Sequence, residues 1–129
     1  MTTYLTAQEI LVLHAFIVDE IGGMHGLRDA HLLQSLVERP KASFGGKEMY
    51  PTIHAKAAVY LESLARYHVF VDGNKRTSLA TIARFLHING YELTATDSQA
   101  EKFILKSAQG HVSLEEIARW IEEHSALLY

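Results

Sequence analysis

The sequence predicts an all-α fold, a single-domain bundle of about six helices with a short flap between the second and third. Three observations carry that expectation. Apolar residues recur at helical spacing in successive segments, most segments open on a capping residue or close on glycine or proline, and no apolar–polar alternation is long enough to build a sheet. At 129 residues, with 48% hydrophobic and 21% charged side chains, the chain suits one soluble domain spanning residues 1–129.

The elements follow in order. Thr6-Ala7-Gln8-Glu9 reads as a capping box in which the Thr6 hydroxyl serves the Glu9 backbone and Glu9 reaches back. Ile10, Leu13, His14 and Ile17 continue it at helical spacing until Gly22-Gly23. Asp29 caps a second helix carrying Leu32, Leu33, Leu36 and Val37, stopped by Pro40. Residues 41–52 break the pattern with Gly45-Gly46 and Pro51. Phe44, Met49 and Tyr50 make that segment too apolar for a solvated linker, so it is either a packed loop or a small hairpin flap. A third, alanine-rich helix is expected from about Ile53 to Tyr67, with Ala57, Tyr60, Leu61 and Leu64 on one stripe. A fourth runs from about Asn74 to Ile88 and closes at Asn89-Gly90. Tyr91–Thr94 reads as a short extended piece. Ser98-Gln99-Ala100-Glu101 predicts a second capping box and a fifth helix ending at Gly110. Ser113-Leu114-Glu115-Glu116 predicts a third box and a final helix with Ile117, Trp120 and Ile121.

Composition excludes several classes. A net charge of −3 argues against a general nucleic-acid binder, which would present a basic face. The absence of cysteine leaves no disulfide framework and no thiolate metal site. No apolar run approaches the roughly 20 residues a membrane span needs. No signal peptide is visible at Met1–Thr6, so a soluble cytoplasmic protein is the expectation. Apart from one loop, the histidines (His14, His25, His31, His54, His87, His111 and His124) form no His-x-x-x-His pair, and a zinc site is not expected.

That loop, His68-Val69-Phe70-Val71-Asp72-Gly73-Asn74-Lys75-Arg76-Thr77, is where chemistry concentrates. A helix N-terminus offers unpaired N–H groups and partial positive charge, a natural seat for phosphate. Lys75 and Arg76 in the first turn have the wrong sign for the helix dipole, a violation that makes sense if an anion is bound there. Arginine can clamp phosphate through paired hydrogen bonds, while lysine acts as a point charge. Asp72 is either a turn former, as Asp-Gly commonly is, or a carboxylate ligand to Mg²⁺. His68 either caps the last carbonyls of the third helix or accepts the proton of an attacking hydroxyl. Gly73 gives backbone freedom, Asn74 caps the next helix or orients the loop, and Val69, Phe70 and Val71 pack to pin it.

These ten residues resemble the signature of the Fic/Doc superfamily, H-P-F-x-D/E-G-N-G-R-x-x-R, and more narrowly the death-on-curing (Doc) form H-x-F-x-D-x-N-K-R-T. Ile21–Asp29, Ala42–Thr52 and Phe85–Tyr91 resemble that branch's other recurrent segments, in the same order. The resemblance implies a Fic/Doc-like fold with His68 in the place of the catalytic histidine and Asp72 in that of the Mg²⁺ ligand. It implies nucleotide phosphates at Gly73, Asn74, Lys75 and Arg76, and a target peptide held along a flap that includes Phe44, Gly45, Gly46 and Tyr50. Arg66 and Tyr67 either assist with phosphates or target, or face solvent.

Two departures from the broad Fic pattern matter. Lys75 replaces the second glycine of G-N-G-R, and Leu79 replaces the second arginine. Both match the Doc branch, where the resemblance implies ATP bound in reverse and transfer of its γ-phosphate to a protein hydroxyl. A threonine of elongation factor Tu is that branch's known target, and arrested translation the effect. The resemblance further implies an antitoxin whose helix lies over the active-site groove, because no self-inhibitory S/T-x-x-x-E-[GN] helix is evident here. Transfer of AMP or another nucleotidyl group, and a non-catalytic binding module, are the alternatives. No glycine-rich kinase loop or P-loop is present, so ordinary kinase machinery is excluded.

Overall fold

In the computed structural model, which describes all of residues 1–129, six helices follow one another. They are α1 (Ala7–Ile21), α2 (Ala30–Glu38), α3 (Ile53–Arg66), α4 (Asn74–Ile88), α5 (Asp97–Ala108) and α6 (Leu114–Glu123). A 3₁₀ turn at Arg39–Lys41 extends α2. Four strands of two or three residues complete the chain: β1 (Ser43–Phe44), β2 (Lys47–Glu48), β3 (Tyr91–Leu93) and β4 (Ser125–Leu127). The fold is an all-α bundle with two small antiparallel ribbons, β1–β2 and β3–β4. No helix is long and apolar enough to cross a membrane.

The bundle is arranged around α3. Every α3 residue from Lys56 to Ala65 is buried, and α2, α4, α5 and α6 all pack against it. Its alanines suit that position, because small side chains let neighbouring helices approach on every side. Leu61, Leu64, Ile82, Phe85, Leu86, Ile117 and Ile121 are fully buried in the same core. Each such side chain contributes about 1.5–3 kcal/mol relative to an exposed position. The Tyr60 hydroxyl accepts from the Leu5 N–H at 3.2 Å, and burial pushes its phenol up to about 12.

The helix starts follow the expected chemistry with one correction. Thr6 with Glu9 and Ser113 with Glu116 form reciprocal capping boxes, and Asp29 accepts from the Leu32 N–H. The α5 box lies two residues earlier than predicted. Thr96, not Ser98, is the N-cap, and Gln99 rather than Glu101 closes the box. Thr96 has the extended backbone a cap requires, whereas Ser98 already lies inside the helix. The extended piece after Gly90 is β3, paired with β4 in the register Tyr91–Leu127, Glu92–Ala126 and Leu93–Ser125.

Between the 3₁₀ turn and α3, the ambiguous segment is a hairpin. Ser43 pairs with Glu48 and Phe44 with Lys47, around a Gly45-Gly46 turn whose two φ values are both positive. A loop packed by Phe44 and Tyr50 is not what forms. Phe44 is 85% exposed at the ribbon, and Tyr50 alone is half-buried. The flap is held by Lys56 instead. Its ammonium, 1% exposed on α3, pairs with Glu48 at 3.0 Å and also donates to the Tyr50 carbonyl.

Candidate active site

The α3–α4 loop is clasped by the connection from α1 to α2. The Arg28 and Asp29 N–H groups both donate to the Val69 carbonyl, at 2.8 and 3.0 Å. The Val71 N–H donates to the Gly26 carbonyl at 3.0 Å, and Leu27 bridges Phe70. Arg28 Nη1 donates to the His68 carbonyl at 2.7 Å. Within the loop, Asn74 forms two reciprocal bonds with the Phe70 backbone, each 2.9 Å. Asn74 therefore orients the loop. It does not cap α4, whose start has no side-chain cap. Val69 and Phe70 are buried as expected, whereas the Val71 side chain is 50% exposed and Val71 holds the loop through its N–H bond to Gly26.

The candidate phosphate and metal residues follow one another at the start of α4. Gly73, at φ 75 and ψ 16, makes the left-handed turn that aims α4 away from the loop. The first α4 amide to find a backbone carbonyl is Thr77, on Gly73 at 2.9 Å, so the N–H groups of Asn74, Lys75 and Arg76 remain free. Lys75 and Arg76 are exposed there, and neither forms an ion pair with an acid of this chain. Asp72 is exposed one residue before the turn. Its Oδ1 accepts from the Gly73 N–H at 2.9 Å and its Oδ2 from the Met24 N–H at 3.1 Å. Asp72 thus makes the turn, and each oxygen keeps a lone pair for a further partner. No group of three or more acids and histidines gathers anywhere in the chain. A divalent ion at Asp72 would therefore take its remaining ligands from phosphate and water, as Mg²⁺ commonly does.

His68 lies just beyond α3 with its carbonyl bound to Arg28 and its side chain exposed. The α3 end is closed by the Tyr67 N–H on the Ser63 carbonyl, not by the imidazole. Tyr67 and Val69, the residues flanking His68, line a groove of about 740 Å³ between α2, the 3₁₀ turn and the end of α3. Ala42, at the base of the flap, lines it too. Arg39 crosses its wall, donating to Glu62 at 2.9 Å and Ser63 at 3.1 Å. Burial pulls the Arg39 guanidinium down, but its bonds to Glu62 and Tyr50 outweigh that and leave it raised. Arg66 lies 3.8 Å from the same Glu62 carboxylate, half turned from solvent. The groove does not extend to Asp72, Lys75 or Arg76, which stand on the open face of the loop.

One functional neighbour escaped the sequence reading. His14, grouped there with the unconnected histidines, is buried beneath the loop. It stacks flat on Phe70 at 3.7 Å and 7°, and its Nε2 lies 2.8 Å from the Asp72 carbonyl. Its helical spacing with Ile10 and Ile17 marked it as inward-facing, but nothing local to α1 named its partner.

Six helices, a hairpin flap and a histidine-to-arginine loop opening α4 define a Fic-type protein. Residues 4–86 match the Fic/DOC family, and the chain belongs to that family, in its death-on-curing branch. It is similar to Toxin Doc of Mycolicibacterium smegmatis, with 45% identity over 95 residues, 74% of this chain and 71% of that one. It is also similar to Protein kinase doc of Escherichia phage P1, with 28% identity over 115 residues, 89% and 90% of the two chains.

Proposed function

We propose that the protein is a Doc-type toxin enzyme that transfers the γ-phosphate of ATP to a serine or threonine hydroxyl of a translation factor, arresting translation. Elongation factor Tu is the expected target. The observation that carries this reading is the α4 start: free amides and two cations without acidic partners, next to an exposed Asp72 held by two backbone donors. Such a start attracts phosphate strongly.

His68 accepts the proton of the acceptor hydroxyl as that oxygen bonds to the γ-phosphorus. The bond from phosphorus to the bridging oxygen breaks, and ADP leaves with the electron pair. Lys75, Arg76 and the free amides receive the phosphate charge, and Asp72 would hold the Mg²⁺. The ion, when bound, neutralises charge developing on the phosphate oxygens. The flap of Phe44, Gly45, Gly46 and Tyr50 offers an extended target segment two exposed strand edges, an arrangement with little sequence demand. An antitoxin helix fits the groove beside His68, whose walls mix Leu32, Leu36 and Val69 with polar residues.

Leu79 supports phosphoryl over nucleotidyl transfer. It packs against the core, so the position where AMP-transferring relatives keep an arginine has no cation to offer. Incubation with Mg²⁺, elongation factor Tu and ATP labelled at the α- or γ-phosphate tests the reading, with His68→Ala as control. Label only from the γ-position is expected. Label from the α-position would establish nucleotidyl transfer, and no label from either would overturn the enzyme assignment for this target.

A further inference from the structure

We infer that His14 is a positioning residue, which fixes the Asp72–Gly73 turn through an Nε2–H bond to the Asp72 carbonyl. This rests on the proposed role of Asp72 and Lys75 in phosphate transfer. Asp72 O carries no hydrogen, so at 2.8 Å the ring nitrogen must be the donor, which selects the tautomer protonated on Nε2. The ring is 4% exposed and comes from α1, an element with no other polar hold on Asp72.

The geometry gives the imidazole two tasks that no other side chain combines. Its face lies on Phe70, whose backbone is locked to Asn74, and its edge holds the carbonyl two residues on. The peptide unit between Asp72 and Gly73 is thus gripped from both ends: the carbonyl by His14 and the N–H by Asp72 Oδ1. A peptide so held cannot flip. Its orientation sets both the left-handed Gly73 and the direction in which the Asp72 carboxylate leaves the chain. A Cβ at Gly73 would lie 3.7 Å from His14 Nε2, so the ring fits closely under the turn. Loss of the N–H would let the peptide rotate while leaving α1 and α4 packed.

Two variants separate the tasks. His14→Phe keeps the stacked ring and removes the donor, and His14→Gln places an amide donor near the Nε2 position without the ring. Amide exchange at Phe70, Val71 and Thr77 reads the loop directly. Transfer kinetics with ATP and elongation factor Tu read the consequence. For His14→Phe, exchange faster by about tenfold is expected at these three amides, because the loop opens without global unfolding. The same variant should lower kcat by about 10²-fold with little change in KM for ATP, the signature of misalignment. His14→Gln should recover most of both losses. Unchanged exchange in His14→Phe overturns the inference, as does equal impairment of the two variants, which would make ring packing the whole role. If the unmutated protein transfers no phosphate, the proposed function falls, and exchange alone decides this inference. Should His14→Phe not fold, the native protein serves: a slowly exchanging proton on His14 Nε2 is expected, and its absence contradicts the assignment.

Discussion

At His68 the backbone is fixed and the side chain is free. Its carbonyl is held by Arg28 at 2.7 Å while the ring stands exposed. His68→Ala should therefore change stability by less than about 0.5 kcal/mol, the usual range for an exposed position. Phosphoryl transfer should fall about 10²–10⁴-fold, the contribution typical of a general base. Melting curves beside the γ-label assay check both. Asp72→Asn preserves a side-chain carbonyl for one backbone donor and deletes the charge. It should raise the Mg²⁺ concentration needed for half-maximal transfer by about tenfold or more, since a hard cation discriminates strongly for anionic oxygen. An unchanged Mg²⁺ dependence would leave Asp72 only its turn. At this scale the sequence was readable because Lys75 and Arg76 break a local rule. His14 was not, since its hydrogen-bond partner lies 58 positions away and only folding brings them together.

Among the elements, helix starts carry the clearest local chemistry. The shifted α5 cap gives a discriminating pair. Thr96→Ala should cost about 1 kcal/mol of stability, and Ser98→Ala, inside the helix, much less. Denaturant melts of the two variants measure the difference, and the reverse order would restore the Ser98 box. The sequence pointed to the Ser98–Glu101 box alone; the structure starts α5 two residues earlier, at Thr96–Gln99, which has the same capping chemistry. At α6, hydrogen bonds from the Ser113 backbone and side chain hold the Glu116 carboxyl below its ordinary value. A carboxyl lowered by folding adds stability above its unfolded pKa, and that contribution disappears as pH falls through the folded value. The stability gap between the native protein and Glu116→Gln should thus be full at neutral pH. It should close only as the solution is acidified past the usual glutamate range, as denaturant melts along a pH series would show. A gap that widened in acid would contradict the assignment.

Across the whole molecule, the fold is organised by contacts that no local pattern announces. The α3 stripe of Ala57, Tyr60, Leu61 and Leu64 was legible, but its burial on all sides was not. Lys56, Glu62 and Ser63 lie off that stripe and are buried as well. They are buried because the flap and the 3₁₀ turn bring Glu48 and Arg39 to them. The extended piece at Tyr91–Thr94 was legible, but its pairing with β4 was hidden, since three-residue strands far apart in sequence give no periodic signal. The apolar character of Phe44 left a packed loop and a hairpin flap both open, and the hairpin that forms carries Phe44 outward. The Lys56–Glu48 pair yields a prediction at this scale. Glu48→Ala leaves the ammonium, 1% exposed, with the Tyr50 carbonyl but no counter-ion, and should cost about 1–3 kcal/mol. Lys56→Met removes the charge while filling the space, and should be closer to neutral. Equal losses in denaturant melts would argue that flap anchoring, rather than charge burial, dominates.

The central claim is that phosphate and metal are received at the start of α4. Residue-resolved amide shifts during titration with Mg²⁺ and ATP test it most directly. The largest changes should fall on Asp72 and on Gly73 to Thr77, and should weaken sharply in Asp72→Asn. Changes centred instead on the groove lined by Leu32, Arg39 and Tyr67, with the α4 amides unmoved, would contradict it.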